Sequence, residues 1–381
     1  MENIAIIGIG MIPIKANYKT HNFADMAWET VNAALKDAGI TIKDVENVIT
    51  TSNDFWDGRT ISCMAVGDAS GVREKNCSCV EGDGTFGAFY GMARILSGSY
   101  GTTLVTGHTK GSESISSLIT NAAFDPIYER ALGPDMISGC AMQARAYMER
   151  HGISSRQTAL VSVKNHGNAK HNPYAQLPLD ISVDDVLNSE MIADPLRKLD
   201  CSPVSDGCCA IILANEEKAK KLCQKPVWVK GAAFTSDAYF LGDRDLADPR
   251  SLAAAAKKAY AMAGITDPAR QVDIAEVYDA FSYQELMWLE GLGICEPGKA
   301  AHQLEKGRFN VGGGLPVNAS GGLLSGHPVI AAGLYRIAEC VRQLRGEAGA
   351  VQKDGAKIAV AQGLNGVAGQ SHCVWVLGAD K

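Results

Sequence analysis

One histidine in this chain stands where an imidazole can do proton chemistry. His327 lies within Asn318-Ala-Ser-Gly-Gly-Leu-Leu-Ser-Gly-His-Pro-Val-Ile-Ala-Ala-Gly333, a glycine-rich turn that leads into a helix-forming run. Small residues on both sides let backbone and ligand approach the ring closely. Pro328 suits the first turn of a helix continuing through Leu334, Ile337 and Cys340. Imidazole titrates near neutrality and serves as general acid or base, which makes this segment an active-site loop in form. A lone histidine is more often structural, so the elements around it have to be read before a role is assigned.

Those elements repeat. Residues 23–49 read as an amphipathic helix with Phe23, Met26, Ala27, Val31, Ala34 and Leu35 on its apolar face, a stop at Ala38-Gly39-Ile40, then Asp44-Val45 and an apolar strand. Residues 251–281 follow the same order: Leu252 to Met262 is helical in composition, Ala263-Gly264-Ile265 stops it, and Val272 to Tyr278 supplies the strand. The triplets begin at 38 and 263, an offset of 225 residues. A second echo links Glu81-Gly-Asp-Gly84, which leads into Gly91-Met-Ala-Arg-Ile95, with the His327 loop, which leads into Gly333-Leu-Tyr-Arg-Ile337. Each half is therefore expected to be a β-α layered unit with a glycine-rich strand-to-helix turn. The spare length between them, roughly residues 112–200, is polar, carries Pro126, Pro134, Pro173 and Pro178, and reads as an inserted loop domain of the kind that covers a site.

Composition sets the outer limits. The 381 residues are 46% hydrophobic and 20% charged, enough for a large core and, at ~150 residues per domain, for two or three domains. A net charge of −6 without a Lys/Arg run argues against nucleic acid or an anionic membrane as partner. No apolar run reaches the ~18 residues of a membrane span, and the N-terminus lacks a signal peptide's basic start, so a cytoplasmic enzyme is expected. Eleven cysteines without a disulfide-scaffold spacing read as reduced thiols. Cys77-Ser-Cys79 and Cys208-Cys209 are too close for a zinc knuckle and no histidine cluster completes a site, so no metal is expected.

The motifs occur in a telling order: Ile4 to Gly10, Gly84…Gly91…Ser97-Gly98, Cys201-Ser-Pro-Val-Ser-Asp-Gly207, Tyr278-Asp-Ala-Phe281 with Glu285-Leu286, Gly326-His327-Pro328, and Gln362-Gly-Leu-Asn-Gly366. Over essentially the whole chain this resembles the thiolase superfamily, most closely the branch of sterol-carrier-protein thiolases and archaeal acetyl-CoA acetyltransferases. The resemblance implies an α/β, five-layer α-β-α-β-α fold of two duplicated halves, a homodimer, and coenzyme A as a substrate in thioester chemistry. The halves would be 1–225, with the insertion at about 112–200, and 226–381.

Residue by residue, the chain departs from that family pattern. The nucleophilic cysteine expected at the first strand-to-helix turn is missing. Ungapped matching through Gly84, Gly91 and Ser97-Gly98 puts Glu81 in its place, whereas a slipped register would put Gly84 there; the ungapped register keeps the helix's buried face in phase. Tyr278 replaces the histidine of a His-Asp-x-Phe segment; it can hydrogen-bond an enolate or act as acid or base, or merely pack. His327 matches the family's Gly-His-Pro histidine and would activate a thiol or shuttle a proton. Gln362 falls near a second catalytic cysteine or histidine, and the backbone N–H groups of Gly84, Gly363 and Gly366 would form an oxyanion hole. Ser202 matches a serine that contacts the pantetheine arm, or else belongs to a simple turn. His108 and Lys110 read as solvated or dimer-interface residues, and Cys77, Cys79 and Cys201 as replacement thiols or, more simply, small hydrophobes.

Three functions follow. The first is retro-Claisen cleavage of a 3-oxoacyl-CoA by free coenzyme A, preferred because the Gly-His-Pro histidine is kept. The second is a thiolase-fold aldolase splitting a β-hydroxyacyl-CoA, and the third a non-catalytic acyl-CoA-binding subunit. Members of this branch work with a small zinc-ribbon/OB-fold partner, so a heteromeric complex is expected, and the resemblance points to benzoylsuccinyl-CoA of anaerobic aromatic breakdown as a substrate.

Overall fold

The computed structural model describes residues 3–381. Eleven strands run in chain order as β1 (Ile4–Met11), β2 (Asn47–Ser52), β3 (Asn76–Glu81), β4 (Thr102–Lys110), β5 (Met191–Ala193), β6 (Leu196–Arg197), β7 (Asp206–Asn215), β8 (Val227–Ser236), β9 (Ile274–Glu276), β10 (Ile358–Asn365) and β11 (Ser371–Gly378). Nine form one sheet in the order β3-β2-β4-β7-β1-β8-β11-β10-β9, and β5 pairs with β6 alone.

The sheet is written twice. In the first half β2 runs parallel to β3 and β4, β4 pairs antiparallel with β7, and β7 antiparallel with β1. In the second, β9 runs parallel to β10 and bridges Val317 in parallel through Ala275, β10 pairs antiparallel with β11, and β11 antiparallel with β8. Among the described residues the strands of the two halves pair through β1 and β8, at Ala5 with Trp228 and Ile6 with Val227.

Helices complete the layers. Helix Phe23–Ala38 packs outside β1 and β7, and helix Arg250–Ala263 outside β8 and β11. Helices Gly84–Leu96 and Ala332–Arg345 touch each other and strands of both halves, so they form the middle layer of an α-β-α-β-α stack. The repeat extends to packing detail: a Cβ at Gly10 of β1 would lie 2.0 Å from Thr30 O, and one at Gly231 of β8 would lie 2.2 Å from Ala259 O. Only glycine lets either outer helix sit that close to its sheet. Both helices end where the triplets place the stop, at Gly39 and Gly264 in left-handed conformation with φ of 68° and 69°.

The stretch 112–200 is largely helical rather than loop, with helices Ser116–Asn121, Met136–His151, Ser155–Ala169 and Val183–Asn188 and the β5–β6 hairpin. Pro126, Pro134, Pro173 and Pro178 fall between helices, where a missing N–H costs nothing, and a fifth proline, Pro195, lies in the β5–β6 turn. Pro328 is not in a first helical turn, contrary to the sequence reading. The helix starts at Ala332, because His327 is held in a parallel bridge to Val204 and the chain needs a turn, Ala331 N to Pro328 O, before it can wind. Among the described residues no helix is long and apolar enough to cross a membrane.

Candidate active site

Beneath the His327 loop lies a set of buried carboxylates, each bonded to a different part of it. Glu276 accepts from Ser320 N and Oγ and pairs with Arg336 at 2.5 Å. Glu285 pairs with Lys164 at 3.1 Å and accepts from Asn165 and Asn318. Asp279 accepts from Asn165 Nδ2 and from Leu323 N, each at 2.6 Å. Asn318, at φ 49°, accepts from Val277 N through its side chain and so ties the loop to the segment carrying Tyr278. Burial raises Asp279 to about 7, with the neighbouring Glu285 adding to it. Sequence reading singled out only Asp279 and Glu285 of this group, as motif letters; Lys164 and Asn165 arrive from the inserted segment.

The loop delivers His327 to Tyr278. His327 Nε2 and Tyr278 Oη are 2.7 Å apart with the rings perpendicular, and His327 Nδ1 is 3.0 Å from Ser202 Oγ. The His327 backbone N–H donates to Ser205 Oγ. Tyr278 is fixed from behind: its N–H donates to Gln362 Oε1 and its carbonyl accepts from Trp288 Nε1, each at 2.8 Å. Burial first, then Arg336, lowers His327 to about 3, so the imidazole is neutral. Burial first, then Asp83, pushes Tyr278 well above the usual phenol value, so it keeps its proton. Two neutral groups in hydrogen-bond contact form a relay with two readable states. Either the phenol donates to Nε2 and Nδ1–H donates to Ser202, or Ser202 donates to Nδ1 and Nε2–H donates to the phenol oxygen, freeing the phenolic proton for a ligand.

The pair opens on a chamber with a mainly apolar wall that includes Met136, Ile137, Phe281 and Leu364. A second chamber, walled by Glu81, Asp83, Asn53 and Asn365, adjoins it, and Tyr278 lines both.

The remaining expected residues fall elsewhere. Glu81, the last residue of β3, is exposed; its Oε1 accepts from Asn53 Nδ2 at 2.6 Å and makes no hydrogen bond to Tyr278 or His327. Gly84 is not an oxyanion donor, because its N–H is already given to Ile330 O at 2.8 Å across the middle layer, and a Cβ there would lie 2.4 Å from Leu334 Cγ. Gly366 N–H is taken by Asn365 Oδ1 at 3.1 Å. Gly363 is an interior residue of β10 opposite Cys373, packed on Asp83 and Thr85, and lines neither chamber. The phenol of Tyr278 and the imidazole of His327 both line the first chamber and carry N–H or O–H groups that can be turned toward an oxyanion. His108 and Lys110 are buried, not solvated: His108 pairs with Asp57 at 2.9 Å beside Phe23, and Lys110 pairs with Glu113.

Sequence reading missed Asp83. It caps helix Gly84–Leu96 through Thr85 N and accepts from Gly333 N at 2.7 Å, joining the starts of both middle helices; burial raises it to about 6. Its signal was an acidic residue one place before a helix start. Two cysteines line the chamber, Cys140 and Cys201, and burial pushes each thiol to about 12, well away from a thiolate.

Comparison with known proteins gives the family. The model of the thiolase N-terminal domain matches residues 4–217, and that of the thiolase C-terminal domain-like family matches residues 232–379. The chain belongs to the thiolase family. Its relatives mark it as an enzyme of the thiolase-like acyltransferase class: an acetyl-CoA acetyltransferase of Methanothermobacter thermautotrophicus is 35% identical over 97% of this chain and 98% of the relative. The benzoylsuccinyl-CoA thiolase subunit BbsB of Thauera aromatica is 36% identical over 58% of this chain and 57% of its own. Among solved structures, an Ltp2-ChsH2(DUF35) aldolase superposes with a TM-score of 0.86 at 27% identity, covering 100% of this chain and 98% of that one. Human mitochondrial 3-ketoacyl-CoA thiolase, at 16% identity and a TM-score of 0.74 over 100% and 99%, shares the fold.

Proposed function

We propose that this enzyme breaks or forms the Cα–Cβ bond of an acyl-CoA thioester, with Tyr278 and His327 moving the proton. The observation that carries this is their 2.7 Å contact at the wall of an apolar chamber. In the cleavage direction the phenol oxygen takes the proton of a β-hydroxyl while passing its own to Nε2 of His327. The Cα–Cβ bond then breaks to give a carbonyl product and a thioester enolate, and a proton returned to Cα completes acyl-CoA. Burial disfavours a lone imidazolium, but the enolate charge appears in the same chamber and offsets it.

Retro-Claisen cleavage of a 3-oxoacyl-CoA, the first sequence expectation, fits the family and the acetyltransferase relative. The thiols of the chamber favour the retro-aldol version. Without an acyl-enzyme, free coenzyme A would have to attack while the thioester still occupied the site, so two coenzyme A moieties would be needed at once; aldol cleavage needs one. Neither chamber is lined by Lys or Arg to meet the free carboxylate of benzoylsuccinyl-CoA, so that substrate is not carried over from the Thauera relative.

The solved aldolase is named for two components, Ltp2 and ChsH2(DUF35), and this supports a partner subunit, while the homodimer is proposed on the family resemblance alone. Exposed Ile127, Tyr128 and Leu132 at 74, 73 and 84% give such an assembly apolar surface to cover. All eleven cysteines are free, in keeping with a cytoplasmic setting. The deciding experiment incubates the protein, alone and with its partner, with matched 3-hydroxyacyl-CoA and 3-oxoacyl-CoA plus coenzyme A. An aldehyde or ketone with a shortened acyl-CoA establishes aldol chemistry, two acyl-CoA products establish thiolysis, and no cleavage of either removes the proposal.

A further inference from the structure

Tyr278 stands at a fork. The two chambers share Trp56, Thr120, Met136, Val329 and Leu364 as well as Tyr278, so a ligand with its scissile bond at the phenol reaches into both. Their chemistry differs. The first offers Ser202, Ser205 and Gln284 among apolar side chains and holds no carboxylate. The second is walled by Glu81 and Asp83 with the amides of Asn53 and Asn365, and holds no Lys or Arg. Asp83 spends its oxygens on Thr85 and Gly333, whereas Glu81 is bonded only to Asn53, which leaves Glu81 as the charge a ligand meets.

We infer that the fork sorts the two halves of the substrate: the coenzyme A-bearing fragment lies in the first chamber, and the fragment that becomes the carbonyl product lies in the second, where Glu81 selects against anionic groups. This rests on the carbon–carbon cleavage reading above. Coenzyme A carries its diphosphate on the pantetheine arm, and an arm threaded past Glu81 and Asp83 would bring like charges together. In the first chamber, which holds no carboxylate, it meets no such charge and finds the Ser116 and Ser205 hydroxyls among apolar side chains. The carbonyl fragment then faces the Glu81 carboxylate beside a wall otherwise built largely of apolar side chains such as Phe55, Ile119 and Ile330, and that charge repels a carboxylate. The substrate class is therefore a β-hydroxyacyl-CoA whose β-substituent is uncharged.

The test uses two β-hydroxyacyl-CoA thioesters identical except for a terminal carboxamide or carboxylate on the carbonyl fragment. For the full-length protein the carboxamide is expected to be preferred in kcat/KM by about tenfold or more, Glu81→Gln to narrow that ratio, and Glu81→Lys to invert it. Equal use of both thioesters, or a ratio indifferent to both substitutions, overturns the assignment. Binding of the same pair to Tyr278→Phe, measured by calorimetry, separates this inference from the reading it rests on. A charge preference in binding with no cleavage by the unsubstituted enzyme keeps the selector and removes the reaction, whereas cleavage with no charge preference keeps the reaction and removes the selector.

Discussion

Ser202 Oγ lies 3.0 Å from Nδ1 of His327, on the ring edge opposite the nitrogen that meets Tyr278. Resemblance gave Ser202 a role in binding the pantetheine arm, whereas the geometry makes it a partner of the imidazole that orients the ring and follows the proton between its two tautomers. Ser202→Ala should therefore lower kcat by roughly tenfold to a hundredfold with KM little changed, and Ser202→Thr should restore part of the loss. Steady-state kinetics across substrate concentration reads the split; a rise in KM at constant kcat would return Ser202 to a binding role.

Removing the phenolic oxygen or the imidazole should abolish proton transfer while leaving the fold. Tyr278→Phe and His327→Ala are each expected to lose about 10²–10⁴-fold in kcat, and the double variant no more than the worse single one, because the two act as a unit. Retention of full carbon–carbon cleavage by either variant, with folding checked by circular dichroism, contradicts the relay.

Neither thiol in the chamber should become acylated. Cys140 and Cys201 are held near 12 by burial, so intact-protein mass spectrometry during turnover should show no covalent acyl adduct. An adduct mapped to either cysteine would establish thiolase-type covalent catalysis instead.

The carboxylates under the loop should make Arg336 costly to lose. Arg336 is buried against Glu276 and Ser320, so Arg336→Met leaves a buried carboxylate unpaired, a loss of about 3–5 kcal/mol. Denaturant unfolding measures it. The double variant with Glu276→Gln should recover part of that stability, since the charge left behind is then gone. Additive losses in the double variant would show that the pair is not coupled.

Acid should act through buried histidines. Burial lowers His372 to about 3 from a usual 6.5, so between these values the unfolded chain binds a proton that the folded one refuses, and stability from this group falls as pH drops through that window. Asp279 and Asp83, raised to about 7 and about 6, act in the opposite sense: they add stability in acid that is lost as pH rises through those values. The test is accordingly a difference. From pH 6.5 to 4, the Tm of the native protein should fall relative to that of His372→Gln, and parallel curves for the two would refute the buried, neutral state of His372.

Much of this protein was set by local sequence. Gly39 and Gly264 end their helices in left-handed turns because only glycine enters that region freely, so the stops, and with them the duplicated halves, were readable from two triplets. His327, Tyr278 and Ser202 each stood out as motif positions, one at a time. What joined them was tertiary: Glu276, Asp279 and Glu285 draw the His327 loop onto the segment after β9 that carries Tyr278, and Ser202 N–H donates to Ala280 O, through hydrogen bonds that no spacing along the chain specifies. The same holds for what was misread. Gly84 sits at a helix start with a donor that looks free, yet that donor is used by Ile330 of the other half, and Glu81 occupies the nucleophile's place in sequence while its side chain bonds Asn53. Sequence decides which groups exist and what conformations their backbone allows. Only the packing of one half against the other decides which donors are spent, which charges are buried, and which two rings touch.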